Sequence, residues 1–127
     1  MINKEATRYA SSVQEKRISD KFDGQISSNS GANLFNKGDV IVEDASLLIE
    51  CKTRLEFKKS FSIKKEWLDK NKEEAFRCRL DNHCIAFNFD YKDKNDYYII
   101  DDKMMQFLVK SLKKYYYEDD RFEYLLP

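Results

Sequence analysis

Glycine, proline and histidine are scarce in this chain: its 127 residues hold three glycines, one proline and one histidine. With Gly24, Gly31 and Gly38 as the only glycines, no glycine-rich loop is available to cradle a triphosphate, and no nucleotide cofactor is expected. The one histidine, His83, stands far from any other motif, which argues against a histidine-based nuclease or an acyl-transfer triad. Cys51, Cys78 and Cys84 lack zinc-site spacing, and with no secretory leader they point to a reduced, cytoplasmic setting. Apolar runs last only a few residues, too short to cross a bilayer, so no membrane partner is expected. Net charge is lacking too, at a formal zero, which argues against a tight, non-specific coat on nucleic acid.

The charge is nevertheless unevenly spread. From Lys52 to Arg79 there are ten Lys/Arg against five Asp/Glu, whereas the segments before and after are each slightly acidic. A basic stretch of this kind suits a phosphate backbone. Aromatics are plentiful, with eight tyrosines and nine phenylalanines, and the run Tyr115-Tyr116-Tyr117 together with Phe122 to Leu126 suits a core or a dimer surface. The length fits one domain over residues 1–127.

Hydrophobic periodicity gives the order α-β-β-β-α-β-β-α, an α/β fold with a central mixed sheet flanked by helices. Helix one is expected from Asn3 to Phe22, ended by Asp23-Gly24, with a short strand at Gln25 to Ser28. A hairpin follows, Lys37–Val42 and Ser46–Thr53, turning through Glu43-Asp44-Ala45. A basic connection leads to a helix beginning near Ser62, which is its expected N-cap. Strands at Cys84–Phe89 and Tyr97–Asp101 precede a last helix from Lys103 to Tyr117, with Met104, Phe107, Leu108 and Leu112 on one face.

The hairpin carries the chemistry. Its strands are Gly38-Asp39-Val40-Ile41-Val42 and Leu47-Leu48-Ile49-Glu50-Cys51-Lys52. Alternate strand residues share a face about 6.6 Å apart, so Glu50 and Lys52 lie on one side and Cys51 on the other. Asp39 meets Glu50 across the hairpin. Two carboxylates brought together in a half-buried site repel, and a divalent cation bound through their oxygens relieves that repulsion. A lysine beside them can hydrogen-bond the attacking water or a phosphate oxygen as charge develops on phosphorus. These residue types together describe phosphodiester hydrolysis.

The segment from Ser28 to Lys52 resembles the PD-(D/E)XK nuclease superfamily, and within it the archaeal and phage Holliday-junction resolvases and their small phage relatives. The likeness includes Gln14-Glu15-Lys16-Arg17 on helix one, where such resolvases carry a Glu that completes the metal site. It also includes Ser28-Asn29-Ser30-Gly31-Ala32-Asn33, in the place of their Ser-containing catalytic loop. Gly38 stands where the motif's name has proline. The resemblance implies a restriction-endonuclease-like core and an Mg²⁺-dependent endonuclease, with Mn²⁺ as a substitute. Asp39, Glu50, Glu15 and the carbonyl of Cys51 would bind the metal. Lys52 would position the water, and Ser30 would orient a water or a phosphate.

Branched DNA is the expected substrate, read by shape because one small domain has little with which to read sequence. A two-fold homodimer is implied as the working form, and the composition suits a viral or mobile-element source acting in a bacterial host. Arg17, Lys37, Arg54, Lys58, Lys59, Lys64 and Lys65 are the candidate phosphate contacts. Trp67 is expected in the core. The alternatives are a nickase or flap nuclease, an RNA nuclease with the same site, and a non-catalytic DNA- or partner-binding protein that keeps the fold.

Overall fold

The computed structural model describes residues 4–27 and 38–118. Helix α1 (Lys4–Phe22) leads through a short strand β1 (Gln25–Ile26) to the hairpin of β2 (Val40–Val42) and β3 (Leu47–Lys52). Helix α2 (Lys65–Arg77) then crosses to β4 (Asn82–Phe87), followed by β5 (Tyr97–Ile99) and α3 (Asp102–Glu118). The five strands form one mixed sheet in the order β1-β2-β3-β4-β5. Only β3 and β4 run parallel, as a strand–helix–strand crossover requires. The element order read from the sequence is the one found, an α/β fold with the sheet flanked by three helices.

Local chemistry explains the boundaries. Asp23 takes a left-handed conformation (φ 53°), and the Gly24 amide donates to the Ser19 carbonyl, closing α1. Between β2 and β3, Glu43–Ala45 winds a short 3₁₀ turn that ends with Ser46 at φ 49°. The Asp101 carboxylate accepts the Met104 amide at 2.9 Å and so caps α3.

One expectation needs correction. Helix α2 starts at Lys65 with Lys64, not Ser62, at its cap position, and no side chain caps it. The residues before it are used instead to lay Phe61 against Phe87 and Trp67, with centroids at 5.2 and 6.2 Å. On α3, Phe107, Leu108 and Leu112 of the apolar face read from the sequence are exposed, as are Met105 and Val109.

Side chains alternate across β3 and divide the interior. Ile49, with Leu47 and Cys51 beside it, joins Ile18 of α1, Val40 and Val42 of β2, and Cys84 and Ala86 of β4 in one core cluster. The alternate residues, Leu48, Glu50 and Lys52, face the α2 side, where Asn71, Glu74 and Ala75 are buried. The core thus anchors β3 at its start and leaves its polar end to line a cleft. No helix among the described residues is long and apolar enough to cross a membrane.

Candidate functional site

A cleft of about 840 Å³ opens where β2 begins and β3 ends. Glu15, Asp39, Glu50, Cys51 and Lys52 all line it, together with Gly38 and the α1 residues Lys4, Thr7, Arg8, Ser11 and Ser12. Three separate elements therefore contribute the acids and the lysine. The β2–β3 ladder pairs Val40 with Ile49, and one step further along brings Asp39 opposite Glu50. Backbone bonds from β1 fix that step: the Ser27 amide donates to the Asp39 carbonyl at 2.7 Å, and the Gly38 amide to the Ser27 carbonyl at 3.2 Å.

The acids differ in exposure: Glu15 and Glu50 are half-buried and Asp39 is buried. Asp39 is 3 % exposed. Burial raises the Glu50 carboxyl above its ordinary range; the Lys52 charge opposes this, and the Glu74 charge adds to it. Glu50 Oε2 is buried without a hydrogen-bond partner among the described residues, while Oε1 lies 3.9 Å from the Lys52 ammonium. A buried carboxylate oxygen with no donor is unstable unless a proton or a cation meets it.

Gly38 has its own reason to be glycine. Its φ of +92° is outside the range open to proline, whose ring fixes φ near −65°. A β-carbon there would stand 2.7 Å from Glu15 Oε2 and 3.0 Å from its Cδ. The Glu15 carboxylate thus rests against the Gly38 backbone, next to Asp39.

Whether these residues suit a divalent cation turns on their donor chemistry. The open Glu50 Oε2, the buried Asp39 and the adjoining Glu15 offer hard oxygen donors, and Mg²⁺ usually binds through one or two carboxylates while keeping waters and phosphate oxygens. Among the described residues no three His, Cys, Asp or Glu side chains cluster as a ready metal group. The Cys51 side chain packs with the core on the side of Leu47 and Ile49, and burial, with the Glu15 and Asp39 charges, pushes its thiol far up.

The Lys52 backbone is also restrained. Gln14, fully buried on α1, donates from Nε2 to the Lys52 carbonyl at 2.9 Å. The same Nε2 lies 3.5 Å from Asp96 Oδ1. Asp96 in turn receives Asn88 Nδ2, and Asn88 accepts the Thr53 hydroxyl. This polar knot holds the chain at Lys52 and Thr53.

Arg17 belongs to that knot, contrary to its expected role as a phosphate contact. Its Nε and Nη2 fork onto Asp96 at 2.8 and 2.7 Å, and Asp96's side chain is fully buried. The hydrogen bond to Asp96 raises the already high guanidinium pKa against the opposing effect of burial. Ser30 and Lys37 lie outside the described residues.

The remaining cations are placed variously. Arg54 and Lys58 line a second hollow of about 260 Å³ that shares Thr7 with the main cleft. Arg54 also lies over the Phe61 ring at 4.7 Å. Lys59 is exposed, Lys64 sits 5.8 Å from the Trp67 ring, and Lys65 pairs with Asp69 at 2.9 Å on the surface.

Sequence reasoning did not single out Lys4, Thr7, Arg8, Ser11 or Ser12. The signal was available: counting back from Glu15 by helical fours reaches Ser11 and Thr7, with Arg8 and Lys4 on the neighbouring row. Comparison with protein-family models, with curated proteins and with solved structures finds no match for this chain.

Proposed function

We propose that this chain is a divalent-cation-dependent endonuclease of the PD-(D/E)XK kind, cutting phosphodiester bonds in branched DNA as a two-fold dimer. One observation carries the reading: Asp39 just before β2, Glu50 and Lys52 from β3, and Glu15 from α1 line a single cleft, and Glu50 Oε2 is buried without a hydrogen-bond partner among the described residues. An unpartnered buried carboxylate oxygen in a charged cleft is a mark of a functional site.

Asp39, Glu50, Glu15 and the Cys51 carbonyl would hold Mg²⁺ or Mn²⁺. When bound, the cation supplies Lewis acidity to a phosphate oxygen and a lowered pKa to its water. The chain's own residues do the rest. The Lys52 ammonium donates to the attacking water or to the phosphate oxygen on which charge builds. Water oxygen bonds to phosphorus, the bond to the 3′ oxygen breaks, and that oxygen leaves protonated, giving a 5′-phosphate and a 3′-hydroxyl.

The path of the substrate follows from the cations around the cleft. Lys4 and Arg8 form one wall, and across Thr7 the second hollow adds Arg54 and Lys58. Among the described residues neither Lys4 nor Arg8 takes part in an ion pair, so both are available to phosphates. Basic groups spaced along a groove follow a backbone rather than read bases, in keeping with selection by DNA shape.

Calorimetric titration with Mg²⁺ and Mn²⁺ tests the site. Binding in the wild type that disappears in Asp39→Asn supports the reading. A folded wild type that takes up neither ion overturns it and leaves a DNA-binding protein on this fold.

A further inference from the structure

We propose that Trp67 is a positioning residue for this reaction, its indole ring forming the seat that holds the Lys52 ammonium. The inference rests on the reading of Lys52 as the group that faces the reacting phosphate. Lys52 Nζ lies 4.4 Å from the Trp67 ring centroid, well inside the range of a cation–π contact. Glu50 Oε1 stands 3.9 Å from the same ammonium. A lysine side chain is a point charge on a flexible four-carbon stem, and something must hold it for it to act repeatedly from one place.

Glu50 is poorly suited to do so throughout a reaction cycle. A carboxylate that turns its oxygens to a divalent cation has less to offer the ammonium beside it. The indole face has no such conflict. It attracts the charge through its quadrupole but takes up none of the three ammonium protons in a strong hydrogen bond. Those protons stay free for water and phosphate oxygen.

The ring is itself well placed to serve as a fixed support. Trp67 lies in the first turn of α2, where its amide donates to the Lys64 carbonyl at 3.0 Å. Phe61 meets it edge-on at 6.2 Å, and Phe61 rests on Phe87 of β4 at 5.2 Å. β4 pairs directly with β3, Phe87 lying opposite Lys52 in the ladder. The seat and the residue it seats are thus tied to the same pair of strands. Lys64 stands over the same ring but further off, at 5.8 Å.

The sequence holds a single tryptophan, so the test is clean. In the wild type, the Lys52 side-chain methylene protons next to nitrogen should resonate upfield of other lysines because of the ring current, their signal being identified by its loss in Lys52→Met. Trp67→Met should abolish the shift and lower kcat roughly threefold to thirtyfold, the rate equivalent of a cation–π contact between exposed and desolvated limits. KM for DNA should hold steady, and Trp67→Phe should recover most of the rate. An unshifted Lys52 signal in the folded wild type overturns the proposal without recourse to any Trp67 variant. So does a folded Trp67→Met protein that keeps its full kcat. If the wild type cuts no substrate, the nuclease reading falls, and the ring-current shift alone decides whether Trp67 seats Lys52.

Discussion

Replacing Arg17 with leucine should unfold the protein earlier rather than loosen its hold on nucleic acid. The Asp96 side chain is completely buried, and its two oxygens receive Arg17 Nε at 2.8 Å and Nη2 at 2.7 Å. With the fork gone, the carboxylate has no water to turn to. It keeps Asn88 Nδ2 at 3.2 Å and the half-exposed Lys21 ammonium at 3.6 Å. Breaking a buried pair from one side costs about 3–5 kcal/mol, and these remaining partners place Arg17→Leu at the lower end, about 3 kcal/mol. At this chain length each kcal/mol moves Tm by roughly 4 °C, so the midpoint should fall by about 12 °C. Circular dichroism melts and urea titrations at fixed protein concentration measure it. Arg17→Leu with Asp96→Asn should be less destabilising than the sum of the two single changes, by about 1 kcal/mol or more. A variant that melts with the wild type but binds DNA more weakly, with a shallower salt dependence, would refute the reasoning and return Arg17 to the phosphate surface.

Three further outcomes follow from the same geometry. Glu50→Gln should make the metal-free protein more stable at neutral pH, by about 1 kcal/mol, while removing cleavage and Mg²⁺ binding. The sign follows from linkage: burial raises the Glu50 carboxyl, so its contribution is favourable while it is protonated and is lost as pH rises through the raised value. Urea denaturation of both proteins across pH 4–8 checks this, and the gain should vanish toward the acid end. Gly38→Ala should cost about 1–3 kcal/mol, because alanine is strained at φ +92°, and should weaken metal binding because its β-carbon displaces Glu15; melting and calorimetry on one sample separate the two effects. Ellman's reagent should label Cys78 before Cys51 or Cys84 in the folded protein, since burial raises the Cys51 thiol furthest and pushes that of Cys84 up to about 12.

The strands were legible because alternation needs only neighbours in sequence. Val40, Val42, Leu48 and Ile49 announce a buried hairpin, and Glu50 and Lys52 must then share a face. The placement of Glu15 was legible in part, from its position at the edge of the buried side of α1. What the sequence hid were pairings between distant segments. Arg17 looked like a free cation because its partner, Asp96, lies 79 residues away in the turn before β5. Gly38 looked like a lapse from the motif because only the folded chain shows Glu15 lying against it. Lys52 and Trp67 are 15 positions apart, yet nothing in their spacing marks the ring as its support. Helix α3 is the reverse case: its apolar stripe was plain in sequence, but only the structure shows that Phe107, Leu108 and Leu112 lie open.

The measurement closest to the central claim is cleavage of end-labelled four-way junction, flap, linear duplex and single-stranded RNA, in Mg²⁺ or EDTA, by wild type and by Asp39→Asn. Paired nicks in the junction that require Mg²⁺ and disappear in the variant are the expected result. Cutting of another substrate with the same metal and residue dependence would keep the site and move the substrate. Folded wild-type protein that binds the junction and cuts nothing in Mg²⁺ or Mn²⁺ would contradict the account.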